Sequence, residues 1–143
     1  IHVQATQPIS GANWNIAASN LSFTSQPLID AGTFSHSTIT DPDVITVLSD
    51  GDYELYYSDS LIGSVVRANI IVRLFINGNA ENTCQLKSHY IRNSNAHTQS
   101  SGTMHCFLRN LSANDELSIQ IEREAANGTI NSNTPANLVV IKK

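Results

Sequence analysis

The residues of this sequence best suited to metal or acid–base chemistry are five histidines, which are His2, His36, His89, His97 and His105. A zinc site needs three or four converging ligands, usually cysteines and histidines at short, regular spacings. No two of these histidines have the spacing of a metal-binding helix, and none belongs to a short cluster of cysteine and histidine ligands. We therefore interpret them as ordinary core or surface residues and predict no metal site.

Carboxylates form a second group, and five of them fall close together: Asp41, Asp43, Asp50, Asp52 and Asp59. Oxygen ligands at loop ends are the kind that Ca²⁺ binds, but this spacing does not match an EF-hand loop. Aspartates in turns more often accept a hydrogen bond from a nearby backbone N–H. Capping of turns is the favoured interpretation; no cofactor is predicted, and calcium stays as an alternative.

Catalytic signatures are missing from the sequence. It contains neither a Gly-x-Ser-x-Gly motif, which positions a nucleophilic serine, nor a glycine-rich phosphate loop. We expect Glu54, which shares a strand face with Tyr56, to form a structural ion pair, because a lone buried charge is costly. Its candidate partners are the arginines Arg67, Arg73 and Arg109. The sequence thus predicts a protein that is not an enzyme.

Two cysteines, Cys84 and Cys106, allow one disulfide at most. Each lies in a segment of alternating apolar residues, and cysteine is among the residue types most often buried. Two buried thiols are the expected state, with a disulfide as the alternative. The cysteines therefore do not indicate whether the protein works in an oxidising or a reducing compartment.

Composition narrows the class of partner. The chain carries 12 Asp and Glu against 8 Lys and Arg, and its scattered basic residues offer a nucleic acid little counter-charge. No apolar run reaches the length of about 18 residues that a membrane span needs, so no membrane insertion is predicted. Asn, Ser and Thr make up roughly 30% of the chain, which indicates the neutral polar surface common on extracellular β-domains and virus fibres.

Apart from these residues, the chain reads as short β-strands separated by turns. Residues 117–122 alternate strictly between apolar and polar, and residues 83–91 are predicted to place Tyr90 with the apolar face and His89 on the opposite one. Asn77 and Gly78 form a hairpin signal. One domain covering residues 1–143 is predicted, with residues 1–20 as a candidate N-terminal arm. Because the chain opens at Ile1, we interpret it as a processed product or a C-terminal piece.

Several predicted strands are apolar on both faces. Residues 69–76 and 138–141 have no fully polar face, and residues 104–108 leave Phe107 uncovered. At about 25 cal/mol per Å² of apolar area, leaving such a row in water forgoes a few kcal/mol and promotes association. We therefore predict an oligomer in which one sheet is covered by other copies of the chain.

Four segments in order resemble the C1q and tumour-necrosis-factor superfamily. Residues 51–58 (Gly-Asp-Tyr-Glu-Leu-Tyr-Tyr-Ser) are similar to its Gly-x-Tyr strand, and residues 74–78 (Leu-Phe-Ile-Asn-Gly) to its apolar strand ending in Asn-Gly. Residues 102–119 resemble its two paired strands, although Asn114 replaces the glycine of the Gly-Asp turn between them. Residues 138–141 match the apolar last strand. The resemblance covers residues 45–143, and the N-terminal strands match poorly.

The resemblance implies an all-β fold, a two-sheet antiparallel jelly-roll sandwich of ten strands that forms a homotrimer. In that family the inner sheet lies against the threefold axis, with an aromatic residue at the position of Tyr56. The residues expected at the trimer interface are Glu54, Tyr56, Phe107, Val139 and Ile141. The residues expected to bind ligand from loops are Asn93, Asn95, His97, Asn131 and Asn133.

Two functions fit these expectations. The first is a structural or binding module on a virion surface, either a capsid decoration (cement) protein or a phage fibre or knob head. Its partners would be sister copies and the major capsid protein or another virion protein. The alternative is a secreted, extracellular C1q-like recognition domain that binds a glycan or protein receptor through its loops.

Overall fold

A computed structural model describes residues 2–7, 19–64, 67–92, 97–123 and 129–143 of the chain. Within them the chain forms β-strands and no helix. The strands are β1 (His2–Gln7), β2 (Ser19–Asn20), β3 (Ser25–Ile29), β4 (Phe34–His36), β5 (Ile45–Val47), β6 (Gly51–Gly63), β7 (Ala68–Ile76), β8 (Asn79–Ile91), β9 (Gln99–Leu111), β10 (Glu116–Arg123) and β11 (Ile130–Lys142). The described residues therefore contain no helix that could span a membrane.

The strands form two antiparallel sheets. The first sheet has the order β3-β1-β11-β6-β9, and the second has the order β4-β5-β10-β7-β8, with β2 pairing β10 outside that path. Apart from the β4-β5 and β7-β8 hairpins, consecutive strands cross from one sheet to the other, as in a jelly roll. The predicted all-β, two-sheet fold class is confirmed, and the described residues contain eleven strands, of which β2 is only two residues long.

Alternation along the strands builds the core between the sheets. On β6, Tyr53, Leu55, Tyr57 and Leu61 are at most 2% exposed, because successive side chains of a strand point to opposite faces. On β10, Leu117, Ile119 and Ile121 are fully buried. The strict alternation predicted for residues 117–122 is therefore confirmed, and its inward face supplies the centre of the second sheet.

Asparagines make the tight connections. Asn77 and Gly78 have φ values of 51° and 76° and join β7 to β8, which confirms the predicted hairpin. Asn114, which stands where the resembled family has glycine, has φ 76°. Asparagine tolerates this left-handed conformation better than most residues, so the turn between β9 and β10 is kept without glycine.

The predicted faces of β8 are wrong at its C-terminal end. Ile70 on β7 pairs with His89, whereas Val72 pairs with Leu86, so β8 contains one extra residue between the two pairs. A bulge of this kind shifts the alternation by one position. His89 consequently points into the core at 1% exposure, and Tyr90 points out at 44% exposure.

A disulfide between Cys84 on β8 and Cys106 on β9 joins the edge strands of the two sheets. The expectation of two free buried thiols is therefore wrong. Both cysteines point inward from their strands, as expected, and the sandwich brings their Cα atoms to 5.6 Å, within the range that a disulfide spans.

The N-terminal segment is only partly described. Residues 2–7 form β1, which pairs with both β11 and β3 inside the first sheet. This part of the segment predicted as an arm is a strand of the sandwich, with Val3 and Ala5 fully buried. Residues 1 and 8–18 lie outside the described residues.

Candidate functional site: an exposed aromatic face

The outer face of the first sheet carries the residues predicted for the trimer interface. On β6, β9 and β11 the inward positions are filled by the core, so the intervening residues point out of the sandwich. We call this surface the aromatic face and define it by Glu54, Tyr56, His105, Phe107, Val139 and Ile141. All five predicted interface residues belong to it, and His105 is an addition.

Strand register places these residues in two adjacent rows. Glu54 pairs with Ile141 on one side and Phe107 on the other. Tyr56 pairs with Val139 and His105 in the same way. Residues opposite one another on neighbouring antiparallel strands have Cβ atoms about 5 Å apart, so each row is one continuous contact surface.

The aromatic rings in this face contact one another. The rings of Tyr56 and His105 are stacked, with centroids 4.2 Å apart and planes 9° apart. The ring of Phe107 is tilted 49° against His105 at 5.0 Å. Phe107 is nevertheless 64% exposed and Tyr56 40% exposed. These contacts leave much of the aromatic area open to solvent.

One charged residue of the aromatic face is buried. Glu54 is 8% exposed, and its carboxylate lies 3.1 Å from Lys143 Nζ and accepts a 3.1 Å hydrogen bond from the Tyr56 hydroxyl. The ion pair with Lys143 is the main reason that the pKa of Glu54 is lowered, and the hydrogen bond to Glu54 raises the pKa of Tyr56. Within the single chain the ion-pair partner of Glu54 is Lys143, whereas the sequence analysis named Arg67, Arg73 and Arg109 as candidates.

A hollow adjoins the aromatic face. Tyr56, His105 and Val139 line it together with Met104 and Asn137, and its volume is about 240 Å³. Its walls are mainly apolar, and its polar lining residues include Ser58, Thr103 and His105. It suits an apolar contact better than a chemical reaction.

The predicted loop residues are only partly brought together. Asn93 and Asn95 lie outside the described residues. His97 is exposed and forms an isolated bridge, with its carbonyl accepting a 2.9 Å hydrogen bond from Arg92 N–H. Asn131 and Asn133 lie on β11 rather than in a loop, because that strand already begins at Ile130 and pairs with β6.

A groove lies next to these positions at the same end of the sandwich. It has a volume of about 340 Å³ and is lined by Ile62, Gly63, Ser64, Thr98, Thr129 and Asn131. Asn131 is thus the one predicted loop residue that lines a described hollow. Ser64, Thr98, Thr129 and Asn131 bring polar side chains to the groove, although most of its lining surface is apolar.

Two of the aspartates considered as calcium ligands, Asp50 and Asp52, have separate structural partners. Asp50 accepts a hydrogen bond from Ala113 N–H at 2.8 Å, and Asp52 accepts one from Asn110 N–H at 2.9 Å. Both cap the turn after β9, as aspartates in turns commonly do. Within the described residues no group of three or more acids, histidines or cysteines converges as a metal site would require.

The sequence interpretation missed a polar network in the core. Asp59 Oδ1 lies 2.8 Å from His89 Nε2, and Asp59 Oδ2 accepts a 2.8 Å hydrogen bond from Tyr57. His89 Nδ1 is 3.1 Å from Ser100 Oγ. Burial is the main reason that the pKa of Tyr57 is raised well above its ordinary value, and the Asp59 carboxylate adds to it. Asp59 occupies an inward position of β6 after Tyr57, which is the signal that could have revealed it.

Ser100, His89 and Asp59 have the composition of a hydrolase triad but not its access. The side chains of His89 and Asp59 are 0% and 2% exposed, and none of the described hollows is lined by Ser100. The serine hydroxyl also accepts a hydrogen bond from Tyr90 N–H and so faces β8. A nucleophile must reach the substrate from a position where donors can stabilise the oxyanion, so this network is structural.

Comparison with known proteins supports the fold. No protein-family model matches the sequence, and a search of the curated proteins found no match. The crystal structure of murine APRIL at pH 8.0 aligns with a TM-score of 0.55 and 13% identity over 100% of both chains. Murine APRIL at pH 8.5 and at pH 5.0 aligns with TM-scores of 0.51 and 0.52 and identities of 16% and 14%, over 99% of this chain and 100% of the other.

Identity this low carries information about architecture and not about activity. The sheet orders, the connections and the alignment over the whole chain agree with one another. The chain therefore has the tumour-necrosis-factor-like jelly-roll fold, which it shares with murine APRIL.

Proposed function

We propose that this chain is a non-enzymatic binding module that works as a homotrimer, with the aromatic face at the contacts between copies. The observation that carries the proposal is the exposure of Phe107 and Tyr56, 64% and 40%, side by side with Val139 and Ile141 on one sheet. Removing such a surface from water is favourable by about 25 cal/mol per Å². Another copy of the chain presents the same apolar and aromatic surface, so it can cover the aromatic face.

The outer face of the second sheet does not need to be covered by another molecule in the same way. Ile71 and Phe75 on β7 flank Arg73, which forms a 2.5 Å ion pair with Glu122 on the neighbouring strand. Long charged side chains laid across a sheet cover apolar neighbours with their aliphatic stems. The sequence predicted strands with apolar residues on both faces in each of the two sheets. Among the described residues, only the first sheet has exposed aromatic rings at the centre of its outer face.

Electrostatics of the aromatic face permit its burial. Covering an unpaired carboxylate would cost several kcal/mol, of the order of the effective desolvation penalty for an ion. Glu54 already has Lys143 and the Tyr56 hydroxyl as partners within the same chain. A sister copy can therefore pack over this carboxylate without having to supply a counter-charge.

Light scattering coupled to size-exclusion chromatography tests the proposal. We expect a mass three times that of the 15.5 kDa chain. Phe107→Glu should shift the protein to monomers, whereas Tyr90→Glu, a matched exposed aromatic residue on the second sheet, should not. A wild-type protein that stays monomeric at high concentration would contradict the proposal, and so would equal effects of the two variants.

For location and partner, we propose the surface of a virion, where the trimer binds a capsid protein as a decoration (cement) protein or forms a fibre or knob head. The low fraction of charged residues, 14%, and the Asn-, Ser- and Thr-rich surface support this role. The alternative is an extracellular recognition domain. The disulfide supports it, since disulfides persist mainly outside reducing compartments. The groove lined by Thr98 and Asn131 also supports it, because it combines an apolar surface with polar side chains.

Binding measurements separate the two roles. A decoration protein should bind purified particles of its virus and give no signal on a broad glycan and receptor array. A recognition domain should bind one class of ligand on the array, and Asn131→Ala should weaken that binding while leaving the trimer intact. Array binding without particle binding would exclude the virion role.

A further inference from the structure

We propose that protonation of His105 controls assembly through the aromatic face, so that acid pH separates the subunits; this inference rests on the proposed trimer. Its basis is the position of one titratable side chain in the middle of that face. His105 is exposed in the single chain, yet its ring lies between Tyr56 and Phe107 and contacts both.

Position makes burial of His105 part of assembly. His105 stands in the same row as Tyr56 and Val139 and next to the row of Glu54 and Phe107. A surface that covers both Tyr56 and Phe107 must also cover the imidazole between them. Histidine is the side chain type whose charge ordinarily changes between pH 5 and 8, so assembly through this face buries an imidazole.

The acid nearest to His105 on the neighbouring strand is already paired. On β6 the ionisable neighbours are Tyr56 and Glu54. The Glu54 carboxylate attracts a charged imidazole, which is the smallest of the causes that lower its pKa, but it is bound more directly by Lys143, which follows β11. On its own strand, Arg109 follows Phe107 at the next position of the same alternation. The remaining residues of β11 in this face, Val139 and Ile141, carry no charge. The described contacts of the imidazole ring are thus Tyr56 and Phe107, and the acid on the neighbouring strand is already paired with Lys143.

Protonation then works against association in two ways. Desolvation penalises the charged imidazolium when a sister copy covers it. A threefold axis also brings three copies of the same cation toward one another, and like charges repel more strongly in a water-excluded contact. The separated subunits thus bind more protons than the trimer at acid pH, and by linkage a falling pH favours separation.

Sedimentation velocity at pH 7.5 and pH 5.5 tests the inference with the full chain. We expect the concentration at which the wild-type trimer dissociates to rise about tenfold or more at pH 5.5, because the separated subunits bind more protons than the trimer. His105→Gln should form trimers that respond little to pH. His97→Gln, which removes an exposed histidine outside the face, should keep the full acid response. Circular dichroism at both pH values should show the same β-signature for all three proteins.

The possible outcomes separate this inference from the proposed function. A wild-type trimer that is equally stable at both pH values would overturn the role of His105 and leave the trimer standing. A wild-type monomer at pH 7.5 would overturn the trimer itself. An acid response that His105→Gln shares with the wild type, including dissociation caused by acid unfolding, would also overturn the assignment to His105.

Discussion

His89 Nε2 lies 2.8 Å from Asp59 Oδ1 in the interior of the sandwich and connects β8 of one sheet to β6 of the other. The pair is extended by the Tyr57 hydroxyl on Asp59 and by Ser100 beside the second imidazole nitrogen. A buried polar network stabilises a fold only when its members are satisfied together. Together with the Cys84–Cys106 disulfide, this network fixes the side of the sandwich where the long edge strands β8 and β9 meet.

Removal of Asp59 should be strongly destabilising. Asp59→Ala leaves His89 and the Tyr57 hydroxyl buried without their partner, and a buried polar group left without a partner costs about 1–3 kcal/mol. Urea unfolding followed by tryptophan or tyrosine fluorescence measures the change in the free energy of unfolding. Asp41→Ala, which removes an exposed carboxylate, serves as the control and should change it by about 0.5 kcal/mol or less. A loss below about 1 kcal/mol for Asp59→Ala would contradict the structural role of the network.

Loss of the disulfide should cost stability without changing the fold. The two cysteines are 22 residues apart, and a loop of this size corresponds to about 3 kcal/mol in the chain-entropy description. The double variant Cys84→Ala/Cys106→Ala should therefore unfold at lower urea concentration and keep its β-sheet circular dichroism. Intact-mass measurement with and without reductant should show a 2 Da difference for the wild type, equal to the two hydrogens of one disulfide. No mass change on reduction would disprove the bridge.

Gly102 should tolerate no side chain. A Cβ at this position would lie 2.6 Å from Leu86 Cδ2 and 3.0 Å from His89 Cε1. Because both neighbours are buried, Gly102→Ala should destabilise the protein by about 1–3 kcal/mol, the usual cost of overpacking. Gly32→Ala provides the comparison, since its nearest atom is Asp30 Oδ1 at 3.4 Å. Thermal unfolding should show a clear loss for the first variant and little change for the second; the reverse order would contradict the packing.

The ion pair of Glu54 should be visible in its titration. Lys143 is the main cause of the lowered pKa of Glu54, so Lys143→Met should raise that pKa toward its ordinary value. Tyr56→Phe should raise it as well, by removal of the second hydrogen bond. A carboxyl with a lowered pKa stabilises the fold above its unfolded pKa and loses that contribution as the pH falls through the folded pKa. Carbon-detected NMR titration of the Glu54 carboxyl measures the shift, and an unchanged value in Lys143→Met would contradict the pairing.

Local pattern was sufficient to predict the strands and most of their faces. The alternation of residues 117–122 and the Asn77-Gly78 turn produced the elements that the structure contains. Alternation set Tyr56 and Phe107 opposite the core residues of their strands, and the resemblance implied that they share one outer face with Val139 and Ile141. This was possible because strand side chains alternate with period two, a property that the sequence displays directly.

Contacts between distant segments depended on the tertiary structure. The one-residue bulge in β8 reversed the faces of His89 and Tyr90, and no residue type in this part of the sequence indicates the bulge. The Cys84–Cys106 bridge, the Asp59–His89 pair and the Lys143–Glu54 pair each join separate strands. The sequence determined by itself which side chains alternate along each strand. Only folding decided which strands face each other and in which register, because pairing energies are small and depend on the whole core being closed at once.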